Sequence, residues 1–126
     1  MDNEEPSGGP ILIVDDDEDV GEDFRAVVER AGHDVLMAEN GRVALDILLA
    51  AAPQPRLVLL DLKMPVMDGW ELLALMRSYN RLNRIPVILI TATTMRAASR
   101  PAFDAILMKP VSEEALLEAI QKVLSP

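Results

Sequence analysis

The chain has 126 residues, the usual size of one domain, and half of them are apolar. Twelve basic against 21 acidic residues give a net charge of −9, which argues against nonspecific binding to nucleic-acid phosphates. There is no cysteine, which excludes a disulfide framework, thiol catalysis and a thiolate zinc site.

Residues 1–9, MDNEEPSGG, are polar with proline and paired glycine and read as a disordered tail. ILIV (11–14) follows as a short apolar run suited to a buried strand. Phe24, Val27, Val28 and Ala31 then fall at helical spacing, with Gly32 as a C-terminal stop. DVLMA (34–38) is a weaker strand. Asn40 is an N-cap candidate for the next helical stripe, Val43, Ala44, Ile47 and Leu48. LVLL (57–60) is a third strand, and Asp68-Gly69 turns the chain into a helix carrying Leu72, Leu73, Leu75, Met76 and Tyr79. VILI (87–90) and the weaker AILM (105–108) are the last strands. Ser112 caps a closing helix with Leu116, Ala119, Ile120, Val123 and Leu124. Alternating units of this length imply a parallel sheet with helices on both faces, in one domain over 10–126. The core must be aliphatic, because aromatics make up 3% of the chain, and the scattered methionines read as fillers. No apolar run reaches the roughly 18 residues of a membrane span, and the start lacks signal-peptide features, so a soluble, cytoplasmic protein is expected.

Chemistry-bearing residues gather at the strand ends. ILIV runs into Asp15-Asp16-Asp17, LVLL into Asp61, VILI into Thr91, and AILM into Lys109-Pro110. A parallel sheet puts all these ends on its carboxyl edge, where open α/β sheets bind ligands. Clustered carboxylates repel, and a hard cation relieves this; oxygen ligands suit Mg²⁺, with Mn²⁺ as a substitute. Lysine can hold a phosphate oxygen, threonine can donate to one, and an aspartate can be a phosphoryl nucleophile. Positioning and charge neutralisation are most of what phosphoryl transfer needs. No nucleotide-binding glycine loop is present, so the donor must come from outside. Each residue also has a plain structural reading: an aspartate of 15–17 as a helix cap, Thr91 as a strand end, Lys109 as a solvated lysine. The convergence favours the chemical one.

The chain resembles a receiver domain of bacterial two-component response regulators. The pieces that carry the likeness are ILIVDDDEDV, NGRVALDIL, LVLLDLKMPVMDGWELL, IPVILITA and LMKPVSEEALLEAI, in the family's order. The resemblance implies a flavodoxin-like doubly wound α/β fold, its five-stranded parallel sheet in the order 2-1-3-4-5. It implies that Asp61 is the phosphoacceptor. Asp15, Asp16, Asp61 and the backbone carbonyl of Lys63 would bind Mg²⁺, and Thr91 and Lys109 would contact the phosphoryl group. It implies a cis Lys109–Pro110 bond. The partner would be a histidine kinase or phosphotransfer protein, with an unidentified output protein beyond it. From the net charge and the lack of a long apolar run, no nucleic acid or membrane is expected to be engaged through this domain. The protein would not be an enzyme beyond catalysing its own phosphorylation and dephosphorylation.

Two departures stand out. The 18 positions from Thr91 to Lys109 are fewer than the family usually has, and Pro101 lies among them. The helix between the fourth and fifth strands, the family's fourth, is therefore expected to be short or missing, near Met95 to Arg100. Ile106 also stands where the family usually has an aromatic that moves with the threonine, so output is expected to be atypical. The alternatives are a phosphorylation-independent scaffold with a receiver fold, or a phosphate-sink or relay receiver without output. An aspartyl phosphatase would place D-x-D-x-T after the strand, whereas Asp61 precedes Leu62-Lys63-Met64. Arg77, Arg81, Arg84, Arg96 and Arg100 read as a solvated surface rather than a docking patch. His33 and Trp70 are assigned no chemistry.

Overall fold

The computed structural model describes residues 8–64, 66–92 and 102–125. The elements run β1 (Ile11–Val14), α1 (Glu18–Arg30), β2 (Val35–Ala38), α2 (Gly41–Ala50), β3 (Leu57–Asp61), α3 (Gly69–Ser78), β4 (Val87–Thr91), β5 (Ala105–Met108) and α4 (Glu113–Leu124). The strands form one parallel sheet in the expected order, β2-β1-β3-β4-β5. Four helices are described, and the fourth in chain order, α4, has 12 residues and follows β5. The short or missing helix expected near Met95 to Arg100 falls at 93–101, outside the described residues.

Burial explains the strand compositions. β1, β3 and β4 are buried at every position, because helices cover both faces of the sheet's centre. β2 and β5, the weaker runs, are the edges and are only partly buried. Successive residues of a strand point to opposite faces. Leu12, Val14, Val58, Leu60, Val87 and Leu89 therefore pack under α2 and α3 with Leu48, Leu72 and Met76. Ile11, Ile13, Leu57, Leu59, Ile88 and Ile90 pack under α1 and α4 with Phe24, Val28, Leu116 and Ile120. Each such side chain contributes roughly 1.5–3 kcal/mol on burial.

Local signals set the helix ends. Asp17 caps α1, its Oδ1 accepting from Asp19 N–H at 3.0 Å and Val20 N–H at 3.2 Å. At the other end Gly32, with φ 98°, donates to the Glu29 carbonyl, and His33 N–H donates to that of Val28. This is a Schellman stop, which needs the left-handed residue that glycine supplies. Asn40 and Ser112 cap α2 and α4, and Asp68 with Glu71 forms a capping box on α3.

Arg77 departs from the solvated surface expected of the arginines. Its side chain is 18% exposed and ties three carbonyls together. Nε donates to Ala102 at 2.7 Å, and Nη1 to Asn83 and Ile85 at 3.0 Å each. Asp104 lies 3.9 Å away, and its own carboxylate accepts from Val87 N–H. Burial pulls the Arg77 pKa down, and Asp104 offsets part of that. Arg77→Leu leaves the carbonyls to rearrange and is expected to cost about 2–3 kcal/mol by urea unfolding, with Arg77→Lys recovering only part.

His33 follows the α1 stop and shares a groove with Arg56 and α4 residues Leu117 and Gln121. Burial first, then the Arg56 charge, lowers its pKa from the usual 6.5. The folded state thus favours neutral imidazole. His33's contribution to stability is present above pH 6.5 and is lost as pH falls below it. An NMR titration of this sole histidine should give a midpoint below 6.5, and a higher midpoint contradicts the assignment.

Candidate functional site

Asp15 and Asp61 leave adjacent strands at one level, since Val14 pairs with Leu60 in the β1–β3 ladder. Thr91 ends β4 beside them, paired with Met108, and Lys109 follows directly. Asp15, Asp61 and Thr91 are the buried polar residues of the described chain, at 7%, 5% and 4% exposure. Asp16 is exposed at the rim. One carboxylate oxygen from each of Asp15, Asp16 and Asp61 lies within 4.8 Å of the others. Lys109 Nζ lies 3.4 Å from Asp15 Oδ2 and 3.6 Å from Asp61 Oδ1. The structure thus brings together the aspartates and the lysine singled out from sequence. Asp17, the third member of the acidic run, is the α1 cap instead.

The orientation of each carboxylate has a local cause. Asp17 N–H donates to Asp15 Oδ1 at 2.9 Å and holds it inward. Asp61 is the last residue of β3, and Lys63 N–H reaches back to its Oδ1 at 3.4 Å, a long bond. The Thr91 carbonyl accepts from Lys109 N–H at 2.8 Å, which ties the lysine backbone to the end of β4. The Lys109–Pro110 peptide is cis, as the resemblance implied.

Three carboxylates against one ammonium leave an anionic excess. Burial and the charge of Asp15 push the Asp61 pKa up from 3.8 to about 6, with Asp16 adding to this; Lys109 and the Lys63 N–H pull the other way. Protonating Asp61 therefore stabilises the fold. That gain is complete below pH 3.8 and is lost as pH rises through about 6. A hard divalent cation held there would do at neutral pH what the proton does in acid. A tight set of carboxylate oxygens with solvent on one side fits such a cation, so the residues present suit Mg²⁺.

The loop after Asp61 holds features the sequence did not reveal. Gly69, read only as a turn residue, lies flush on the end of β3. A Cβ there would sit 2.6 Å from the Asp61 carbonyl oxygen and 2.8 Å from Leu62 Cα. Val66 has φ 70° and is 80% exposed. A β-branched residue in that region costs on the order of 1–2 kcal/mol. Trp70 packs edge-to-face on Phe103 at 6.4 Å and stays outside the cluster. Ile106, where an aromatic is usual, is 38% exposed on β5. His33 lies beyond the C-terminus of α1, at the opposite end of the strands.

Comparison with known proteins agrees with this geometry. The family described as response regulator receiver domain matches residues 11–121. The polar-differentiation response regulator DivK of Brucella anthropi is 31% identical over 118 residues, covering 90% of this chain and 94% of DivK. Protein PilH of Pseudomonas aeruginosa is 35% identical over 119 residues, covering 91% of this chain and 97% of PilH. Among solved structures, the chemotaxis protein CheY4 of Vibrio cholerae superposes with a TM-score of 0.82 at 27% identity, covering 92% of this chain and 98% of that one. The receiver domain of a signal transduction histidine kinase from Syntrophus aciditrophicus gives 0.80 at 30% identity, covering 92% and 89%. The chain belongs to the response regulator receiver domain family.

Proposed function

We propose that this receiver domain takes a phosphoryl group onto Asp61 from a phosphohistidine on a histidine kinase or phosphotransfer protein. The observation that carries the reading is the meeting of Asp15, Asp16 and Asp61 within 4.8 Å, with Lys109 against two of them. An Asp61 carboxylate oxygen attacks phosphorus in line. The P–O bond forms as the donor P–N bond breaks, and the leaving imidazole keeps that electron pair and takes a proton. Lys109 sits where it balances charge on a phosphoryl oxygen, and the Thr91 hydroxyl donates to another. Asp15, Asp16, Asp61 and the Lys63 carbonyl would hold Mg²⁺, which supplies charge neutralisation on the transferring group when bound. Burial keeps Asp61 and Asp15 rigid, so the nucleophile is aimed before the donor arrives.

The protein turns over no substrate of its own in this reading; it catalyses only its own phosphorylation and dephosphorylation. The aspartyl phosphate adds roughly 1.5–2 negative charges at the carboxyl edge and biases a protein-interaction surface. Ile106 lacks the rotor of the usual aromatic, so the usual threonine–aromatic coupling is absent and output takes another route.

Intact-protein mass after incubation with Mg²⁺ and acetyl phosphate tests the reading. A single phosphoryl adduct is expected on the parent, lost when EDTA replaces Mg²⁺ and absent from Asp61→Asn. If the parent gains no adduct and also fails to bind beryllofluoride with Mg²⁺, the scaffold reading replaces this one.

A further inference from the structure

The segment between Asp61 and α3 is held from two sides. Leu62 N–H donates to the Ile90 carbonyl of β4, and the Leu62 carbonyl accepts from Gly69 N–H at 3.0 Å. At the far end the Met67 carbonyl accepts from Gly41 N–H at 3.1 Å. Gly41 is the first residue of α2, a helix that contributes no group to the carboxylate cluster. A Cβ on Gly41 would sit 2.6 Å from the Met67 carbonyl oxygen, 2.8 Å from its Cγ and 3.0 Å from its Cβ. Gly41 is not among the residues with positive φ, so glycine is required here for space, not for backbone freedom. Between the two anchors lie Lys63, whose N–H faces Asp61 Oδ1, and the strained Val66. A left-handed β-branched residue persists only where its surroundings over-determine it, and the two anchors do so.

We propose that Gly41 is a positioning residue for the metal and phosphoryl site. By seating the start of α2 on the Met67 carbonyl, it holds the strained loop so that the Lys63 backbone stays against Asp61. The start of α2 thereby becomes a point from which the site can be tuned, for a residue whose Asn40-Gly41 context reads in sequence as a simple cap. The inference rests on the metal-site reading above.

Calorimetric titration with Mg²⁺, alongside thermal melting, tests it on four proteins: the parent, Gly41→Ala, Gly41→Ala with Val66→Gly, and Asn40→Ala. Gly41→Ala is expected to bind Mg²⁺ about tenfold more weakly, the loss typical when a support behind the ligands is disturbed. Adding Val66→Gly relieves the loop strain and should restore the melting temperature but not the affinity, which separates positioning from simple stability. Asn40→Ala loosens the first turn of α2, whose cap bonds Val43 N–H at 2.9 Å, without crowding the loop. It should weaken Mg²⁺ in the same direction, and it keeps the test decisive if Gly41→Ala does not fold. Equal affinity in parent and Gly41→Ala, unchanged affinity in Asn40→Ala, or recovery of affinity together with melting temperature overturns the proposal. A parent that binds no Mg²⁺ overturns the metal reading and this inference together.

Discussion

One ammonium shared by two buried carboxylates is the contact on which the site depends. Lys109 lies within 3.6 Å of both Asp15 and Asp61, and Asp16 stands at the rim. At these separations each pair interaction is on the order of 4 kcal/mol in an effective dielectric of about 20, before desolvation is subtracted. The attractions from one lysine cannot balance three mutually repelling carboxylates, two of which, Asp15 and Asp61, have also lost water. Burial first, and then the Asp15 charge, raises the Asp61 pKa by more than Lys109 lowers it. A site left anionic in this way suits a hard cation.

The fold exists to keep that crowding from relaxing. β1, β3 and β4 are buried at every position, so the residues at their ends cannot swing away. The two helical layers meet the sheet with aliphatic side chains on both faces. Glycines at the starts of α2 and α3 let those helices close directly onto the backbone that follows Asp61. Val66 records the cost locally, in a left-handed φ that a valine adopts only under constraint. Packing energy from the core is thus converted into fixed geometry at the carboxyl edge.

Much of this was legible in the chain. The apolar runs at 11–14, 34–38, 57–60, 87–90 and 105–108 mark the five strands, since short β-branched runs have few other ways to hide. The weaker two are edge strands, where fewer positions need apolar side chains. The polar residues that end the strands could be gathered by topology alone. Tertiary contacts were not legible. Arg77 resembles its solvated neighbours until its guanidinium is found bridging three carbonyls. The acidic run 15–17 does not say which member caps the helix, because any aspartate can; the geometry gives that task to Asp17 and the cluster to Asp15 and Asp16. Gly41 looks like an ordinary helix start until the Met67 carbonyl is seen against it.

On this account Asp61 stands in burial and charge crowding that Lys109 only partly relieves and that a divalent cation would remove. Thermal melting of the parent and of Asp61→Asn at pH 7.5, each in EDTA and in Mg²⁺, tests it most directly. In EDTA, Asp61→Asn should melt above the parent, because one repelling charge is gone. Mg²⁺ should raise the parent and narrow the gap, with little effect on the variant. A variant that melts below the parent in EDTA, or a parent indifferent to Mg²⁺, would contradict the account.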